Sequence, residues 1–309
     1  MTSQSQLPNL AQGAGYGNVD AARSVTDLMQ LVDQLAGLRL CVFDVDGTLL
    51  SSDHEVTGAV VTAIAEAQAG GLDLMLASSR SPGALESILN ALPGPGGDLF
   101  IASQGAILGR LNLVGELEVL RHRPLPLDEA IEVIRLARDS HVSVSWYTPY
   151  EWLVLSLDDH VRREAEITGA CPTLARAEDL TGGPDKIMLI SELSEITALQ
   201  VLADAVPASM QAQFSNPNYL EITASGVDKA STLSEYCRLR GLSPAEVLAM
   251  GDGPNDLGLL RFAGVSIAPA NARREVLNAV QHVSASNDDD GVAEVITWVL
   301  EAKGGANRR

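Results

Sequence analysis

Five short, mainly apolar runs constrain the fold of this chain more than any other feature of its sequence. Each ends in polar residues, and most are followed by a pattern typical of a helix. Runs of this length are typical of strands buried on both faces. Because they alternate with helices, they predict a parallel sheet with right-handed crossovers. The runs are residues 40–43, 72–77, 99–102, 247–250 and 265–268.

Two carboxylates follow the first run, in the stretch Asp44-Val45-Asp46-Gly47-Thr48. Residues i and i+2 of a strand point the same way, so Asp44 and Asp46 are expected on one side where the strand ends. Two carboxylates at such a short separation repel each other, so one is protonated or a cation neutralises them. Gly47 permits a sharp exit from the strand. The alternative is a strand followed by a solvated Asp-Gly turn.

Other polar residues are expected to meet these carboxylates, because ligands bind outside the carboxyl ends of the strands in an open parallel sheet. Oxygen ligands without histidine or cysteine suit Mg²⁺. A metal, a lysine, a hydroxyl and free backbone amides together suit a phosphoryl group, which a nearby carboxylate can attack. The residues expected at this crevice are Asp44, Asp46, Ser78, Lys229, Asp252, Asn255 and Asp256.

The pattern between residues 108 and 223 differs from that of its flanks. Apolar and polar residues alternate there, and two hairpins are predicted, over Thr148-Pro149-Tyr150 and Asn216-Pro217-Asn218. The chain is therefore divided into an N-terminal extension with one amphipathic helix (1–36), a discontinuous core domain (37–107 and 224–309) and an inserted α+β domain (108–223). Aromatic residues of the first hairpin are expected to pack within it.

Lysine is scarce, and Lys186, Lys229 and Lys303 are the only three in the sequence. Lys229 is favoured as the catalytic lysine because it precedes a helix in the same half as Asp252. Lys186 begins a strand of the inserted domain and is expected to be exposed. Asp288, Asp289 and Asp290 are expected to form a solvated turn before the last helix rather than a calcium site.

The charge and the cysteines narrow the range of functions. A net charge of -19 makes nucleic acid and anionic membranes unexpected partners. The three cysteines are widely spaced, which excludes a disulfide framework or a Cys-x-x-Cys metal site. A signal-peptide pattern and a run of membrane-spanning length are absent, so a cytoplasmic location is expected.

These motifs resemble those of the haloacid dehalogenase-like phosphatases, and most closely the Cof-type subfamily with a type IIB cap. Asp44 to Thr48 is similar to the first family motif, and Gly251 to Asp256 is similar to the fourth. The resemblance covers residues 38 to about 300. It implies an α/β fold, in which a Rossmann-like parallel-sheet core carries the inserted α+β segment as a C2B cap.

The resemblance also implies roles for the residues of the first two motifs. Asp44 would be the nucleophile and Asp46 the general acid and base. Ser78 would hold the phosphoryl oxygens. Ser79 stands where the family has glycine, whereas Arg80 fits the pattern, and both would lie at the substrate.

The remaining motifs would complete the substrate and metal sites. Lys229 would steady the charge of the nucleophile and the phosphate, and Asn255 would lie near the phosphoryl group. Mg²⁺ would be held by the carboxylates of Asp44 and Asp252 and by the backbone carbonyl of Asp46, with Asp256 behind them.

The function that follows from this resemblance is a Mg²⁺-dependent phosphatase acting through an aspartyl-phosphate. Its substrates would be small phosphorylated metabolites, sugar phosphates above all. Two alternatives stay open at this point, a phosphomutase similar to the phosphomannomutases and a non-catalytic sensor of a phosphorylated ligand. The sequence leaves the substrate and the oligomeric state open.

Overall fold

A computed structural model of the chain describes residues 25–93, 99–112 and 114–306. The helix expected over residues 20–35 is described from Val25 onward, as α1, Val25–Ala36. The rest of the N-terminal extension, residues 1–24, lies outside the described residues.

The core of the fold is an eight-stranded sheet in the order β14-β13-β12-β1-β2-β3-β4-β5. Its first six strands in this order pair in parallel, as the sequence predicts. The five predicted runs are largely buried, which agrees with their apolar composition, whereas the edge strand β14 is partly exposed. The strands are β1 Leu40–Phe43, β2 Asp73–Ala77, β3 Leu99–Ala102, β4 Ile107–Leu111, β5 Leu117–His122, β12 Val247–Met250, β13 Val265–Pro269 and β14 His282–Ser284.

The domain boundary placed at residue 108 does not agree with this sheet topology. β4 pairs antiparallel with β3, and β5 pairs antiparallel with β4, so residues 107–122 extend the core sheet. The sequence pattern changes at 108 because these edge strands are antiparallel and β5 is partly exposed, unlike the buried parallel strands. We therefore propose that the inserted segment begins after His122. At its other end, β11 ends at Ala224, close to the proposed boundary.

Two helical layers cover the core sheet. Apolar residues of α1, α2, α3 and α10 pack on one face, and those of α7, α8 and α9 pack on the other. This is the layering expected of a doubly wound sheet. The helices not yet given are α2 Gly58–Ala69, α3 Pro82–Ala91, α7 Lys229–Arg240, α8 Leu257–Phe262, α9 Arg274–Leu277 and α10 Gly291–Ala306.

The inserted segment, called the cap below, contains a six-stranded sheet in the order β10-β11-β9-β6-β7-β8. Both predicted hairpins are present, as the antiparallel pairs β6–β7 and β10–β11. Helices α4 and α6 pack on one face of the cap sheet, and α5 packs on the other. The cap elements are α4 Leu127–Ala137, β6 Ser143–Tyr147, β7 Trp152–Val154, α5 Asp159–Thr168, β8 Thr173–Leu174, β9 Lys186–Ile190, α6 Ile196–Asp204, β10 Met210–Asn216 and β11 Tyr219–Ala224.

Candidate active site

Asp44 lies directly after β1, in the middle of the core sheet. Its backbone N–H donates to the carbonyl of Met250 at 2.9 Å, which continues the parallel pairing of β1 with β12. Its side chain is buried, and one carboxylate oxygen accepts a hydrogen bond of 2.6 Å from Lys229 Nζ. The carboxylate is thus held at the carboxyl edge of the sheet, where parallel strands form a crevice.

Asp44, Asp252 and Asp256 form a cluster of three carboxylates, with one oxygen of each lying within 4.8 Å of the others. Lys229 Nζ bridges two of them, since it also donates to Asp256 at 2.7 Å. The second Asp256 oxygen accepts from the backbone N–H of Gly253 at 3.0 Å. Asp252 and Asp256 come from the turn after β12, and Lys229 opens α7, so chain segments far apart in sequence meet here.

The cluster holds more negative charge than Lys229 balances. Burial, followed by the charge of Asp256, raises the pKa of Asp44 well above its usual value. The same two causes raise the pKa of Asp252 to about 6. Burial opposes the charged form of Lys229, but the charges of Asp256 and Asp44 together have the larger effect and raise its pKa. Because clustered carboxylate oxygens are the ligands that Mg²⁺ takes, the residues present fit a divalent cation.

The turn after Asp44 brings the backbone against Asp252. Gly47 has φ +75°, and a Cβ atom at this position would lie 2.7 Å from Asp252 Oδ2. A side chain at residue 47 would therefore occupy the space of the carboxylate, and the left-handed conformation also favours glycine. The carbonyl of Gly47 is fixed by a 2.8 Å hydrogen bond from Asn271 Nδ2.

The Asp46 carboxylate stands apart from the three-carboxylate cluster. It forms a bidentate pair with Arg80, with Nε–Oδ2 at 2.8 Å and Nη2–Oδ1 at 2.6 Å. The strand ends at Phe43, and residues 45–49 form an irregular turn in which Gly47 has φ +75°, so the i, i+2 rule for strands does not extend to Asp46. Both carboxylates nevertheless line the same cavity. Metal binding by the Asp46 backbone carbonyl stays a prediction.

Ser78 lies on the loop between β2 and α3 and is fully buried. Its Oγ accepts a hydrogen bond of 3.0 Å from the backbone N–H of Arg80, and its own N–H donates to Ile101. The residue before α3 is Ser81, so Ser78 does not cap that helix. Ser79 and Arg80 line the cavity, whereas Ser78, Lys229 and Asp256 lie behind its wall.

A cavity of about 300 Å³ lies between the core and the cap. The core contributes the carboxylates of Asp44, Asp46 and Asp252 together with Asn255. The cap contributes charged, hydroxyl and amide side chains from its α5 face and from the β10–β11 hairpin, namely Tyr147, Glu164, Lys186, Asn216, Tyr219 and Glu221. Packing within the hairpin is the favoured expectation for its aromatic residues, with substrate contact as the alternative. Trp146 and Trp152 are buried in the cap, while Tyr147 both packs on Trp152 and lines the cavity.

The expectation that Lys186 is exposed is wrong. The residue is 3% exposed, and its ammonium donates to Glu221 and to the carbonyl of Ser79. Sequence reasoning also missed Arg273, whose guanidinium donates from the core to Asn216 Oδ1 of the cap at 3.1 Å. The scarcity of lysine is the signal that could have drawn attention to Lys186, because each retained lysine then stands out.

The acidic turn before α10 is not simply solvated. Asp288 accepts hydrogen bonds from the backbone N–H and the hydroxyl of Ser52, both at 2.7 Å. Asn287, which is buried, donates to the carbonyl of Leu50 at 2.8 Å. These contacts hold the chain that follows the Asp44–Thr48 motif, so the C-terminal turn supports the site from behind.

A larger groove of about 980 Å³ lies elsewhere, between the β4–β5 edge and α7. Its lining combines apolar residues such as Leu111 and Leu239 with Arg110 and Arg240, and contains none of the clustered carboxylates. The chemistry of the molecule is therefore concentrated in the smaller cavity between core and cap.

An inserted cap over the carboxyl edge of a parallel sheet, with clustered carboxylates beneath it, defines a class of capped α/β hydrolase. Comparison with known proteins gives the family. Residues 41–296 match the family of haloacid dehalogenase-like hydrolases, so the chain belongs to that family and is an enzyme of the phosphatase type.

Individual relatives agree with this assignment. The chain is 25% identical over 262 residues to the phosphoglycolate phosphatase of Methanospirillum hungatei JF-1, covering 84% of this chain and 95% of that protein. A crystal structure of a haloacid dehalogenase-like hydrolase from Bacteroides thetaiotaomicron superposes with a TM-score of 0.76 at 29% identity, covering 84% and 98%. The fold, including the cap, is also that of a subclass IIB sugar phosphatase, with a TM-score of 0.72 at 22% identity and coverage of 84% and 98%.

Within the described part of the chain, none of the helices combines the length and the apolarity that crossing a membrane requires.

Proposed function

We propose that this protein is a Mg²⁺-dependent phosphatase that hydrolyses small phosphorylated metabolites through a phosphoryl group carried on Asp44. The observation that carries the proposal is the position of the Asp44 carboxylate. It is held by Lys229, clustered with Asp252 and Asp256, and open to a cavity shared with the cap. A buried, oriented carboxylate at a site of concentrated charge is suited to nucleophilic attack.

In the first step, an Asp44 carboxylate oxygen would attack phosphorus and form an acyl phosphate while the bond between phosphorus and the ester oxygen breaks. Asp46 would give its proton to the departing oxygen. In the second step, water would attack the same phosphorus and pass a proton to Asp46. This step releases inorganic phosphate and restores Asp44, so atoms and protons balance over the cycle.

The Asp46–Arg80 pair bears on this proton transfer. Both Asp46 oxygens accept hydrogen bonds from the Arg80 guanidinium. The hold of Asp46 on Arg80 would therefore loosen before Asp46 reaches the departing oxygen in the first step. Arg80 lines the cavity and is suited to take up a phosphoryl oxygen in exchange.

The carboxylates of Asp44 and Asp252 and the backbone carbonyl of Asp46 would hold Mg²⁺, with Asp256 anchoring Lys229 beside them. The cation would supply positive charge that offsets the repulsion between the carboxylates and the phosphate. Lys229, buried between Asp44 and Asp256, favours the ionised nucleophile and so offsets part of the burial and carboxylate repulsion that raise the pKa of Asp44.

The cavity supports a small substrate with several polar groups. Its volume of about 300 Å³ is at the low end for ligand sites. Glu164, Asn216 and Tyr219 provide carboxylate, amide and hydroxyl groups to the part of the substrate beyond the phosphate. Such groups are suited to the hydroxyls of a sugar, so we propose sugar phosphates as the leading substrate class, in keeping with the sugar phosphatase of the same fold.

A screen of phosphorylated metabolites and p-nitrophenyl phosphate, with Mg²⁺ and with EDTA, tests the proposal. Release of phosphate that requires Mg²⁺ and disappears in Asp44→Asn is expected. Full activity in Asp44→Asn would overturn the mechanism. Transfer of phosphate within a bisphosphorylated sugar would instead identify a phosphomutase, and binding without turnover across the whole panel would identify a sensor.

A further inference from the structure

Lys186 connects the cap to the core at the candidate active site. It is the first residue of β9, yet its Nζ donates to the backbone carbonyl of Ser79, across the domain junction, at 2.7 Å. It also donates to Glu221 Oε2 at 2.8 Å. At 3% exposure, an ammonium needs such partners, because an unpaired buried charge is strongly unfavourable.

The cap fixes Lys186 on several sides. Its strand pairs with β6, where Lys186 lies opposite Tyr147, and its Nζ lies 4.8 Å from the centre of the Tyr147 ring. Glu221 comes from the neighbouring strand β11, opposite Met188. The ammonium therefore moves with the cap sheet, and its contact with Ser79 depends on the cap lying against the core.

The peptide unit between Ser79 and Arg80 is held at both ends. Lys186 donates to its carbonyl oxygen, and the N–H of the same unit donates to Ser78 Oγ. A cation on a carbonyl polarises the peptide and strengthens its N–H as a donor. Because Ser78 Oγ accepts this bond, the Ser78 side chain and the backbone of Arg80 are held in a fixed relation to each other. The same loop carries the Arg80 guanidinium that holds Asp46.

We propose that Lys186 is a positioning residue, through which the cap orders residues 78–80 for the reaction. The inference rests on the proposed phosphatase function. Docking of the cap brings Lys186 to the Ser79 carbonyl, which fixes the backbone of residues 78–80 and so the loop from which Ser79 and Arg80 line the cavity. The site is then complete only when the cap is in place.

Docking of the cap does not depend on Lys186 alone. Arg273, which follows the β13 strand of the core, donates to Asn216 Oδ1 and to the carbonyl of Ser215 in the β10–β11 hairpin of the cap. A change at Lys186 therefore leaves a second contact between the domains. Its effect on catalysis can be separated from loss of the cap.

The first test compares Lys186→Met with the double variant Lys186→Met/Glu221→Gln. The single variant leaves the Glu221 carboxylate buried without its partner, so its melting temperature is expected to fall. The double variant removes both charges and is expected to regain most of that stability. In both, kcat for the best substrate of the screen should fall at least about tenfold, since misplacement of a positioning group costs rate. Recovery of kcat together with stability would overturn the proposal.

The matched control is Lys303→Met. Lys303 Nζ also donates to a backbone carbonyl, that of Ala36 at 3.4 Å, but it lies on α10, away from the cavity. Its kcat should stay within about twofold of the wild type. Lys186→Arg, which keeps a cationic donor, should recover part of the lost kcat.

Hydrogen–deuterium exchange gives a second readout that needs no turnover. Peptides containing residues 78–80 should exchange faster in both Lys186 variants than in the wild type, and at the wild-type rate in Lys303→Met. Unchanged exchange, or faster exchange with unchanged kcat, would overturn the proposal. If the wild type hydrolyses no phosphate ester, the proposed function fails, and the exchange rates alone decide whether Lys186 orders the loop.

Discussion

At the scale of single residues, the site depends on one buried cation between two buried carboxylates. Lys229 is 1% exposed and contacts Asp44 at 2.6 Å and Asp256 at 2.7 Å. Burial, followed by the charge of Asp256, still raises the pKa values of Asp44 and Asp252, so Lys229 offsets only part of what disfavours their ionised forms. The balance between lysine and carboxylates therefore governs both stability and reactivity.

Replacement of Lys229 by methionine tests that balance. Lys229→Met leaves Asp44 and Asp256 buried without their shared donor, and we expect it to lower the free energy of unfolding in EDTA by about 3 kcal/mol or more. Activity should fall at least about a hundredfold, because the nucleophile loses its orienting charge. Urea unfolding and phosphate release measure the two effects. A variant with wild-type stability in EDTA would contradict the account of the cluster, and Lys303→Met is the matched control.

At the scale of elements, the positions of the site residues depend on turns that pack against one another. The turn after β3 has positive φ at Ser103, Gln104 and Gly105, and it packs on the start of α7. The carbonyl of Gly105 accepts from Thr232 Oγ1 at 2.6 Å. Because Lys229 begins α7, this contact determines where the ammonium lies.

Gly105→Ala should disturb the site without changing any charged residue. A Cβ atom at residue 105 would lie 2.2 Å from the carbonyl oxygen of Asp228, which adjoins Lys229. We expect a loss of about 3 kcal/mol in the free energy of unfolding and reduced phosphate release, because the start of α7 must shift. Thermal or urea unfolding measures the first effect.

The control for this substitution is Gly58→Ala. Gly58 is exposed at the first position of α2, and a Cβ there would have open space. It should change stability by less than about 1 kcal/mol. Equal effects of the two substitutions would show that packing on α7 is not the cause.

The turn before α10 holds the chain that follows the Asp44–Thr48 motif. Asn287→Ala removes the donor to the Leu50 carbonyl and loosens the chain after the Asp44–Thr48 motif. We expect a loss of about 1–3 kcal/mol in stability and weaker activation by Mg²⁺, seen as a higher Mg²⁺ concentration at half-maximal activity. Asn278→Ala, at an exposed position after α9, should leave both unchanged. Unaltered Mg²⁺ activation in Asn287→Ala would show that this turn does not support the active site.

At the scale of the whole molecule, pH and metal should act on stability together. The pKa of Asp252 is raised to about 6 in the folded protein, so the folded state holds this proton more tightly than the unfolded state between about pH 4 and 6. The free energy of unfolding of the metal-free protein should therefore decrease as pH rises through this window. Asp252 contributes at most about 3 kcal/mol to that decrease, and Asp44 contributes in the same direction.

Mg²⁺ should reverse this trend, because a cation replaces the proton. The rise in melting temperature on adding Mg²⁺ should be larger at about pH 8 than at about pH 5. Asp252→Asn should reduce the rise at both pH values. An equal rise at both pH values in the wild type would show that Mg²⁺ does not compete with these protons.

Much of this molecule follows from local sequence. Apolar runs predict the parallel strands because strands buried on both faces require such residues. The chemistry of the site follows from residue types at strand ends, since parallel strands place their carboxyl ends together. Asp44, Asp252 and Asp256 are therefore brought into one cluster, as the pattern indicates. The catalytic roles assigned to the individual residues stay predictions.

Tertiary structure decided what depends on long-range pairing. The sequence did not indicate that residues 107–122 extend the core sheet, because antiparallel edge strands look alike in either domain. It did not indicate that the Asp46 carboxylate pairs with Arg80, because the strand ends at Phe43 and its i, i+2 alternation does not continue into the turn that follows. It misplaced Lys186, since burial of a lysine depends on partners such as Glu221 and Ser79 that only folding brings near. Local pattern thus determined the chemistry at the strand ends, and packing between the core and the cap decided which charges meet there.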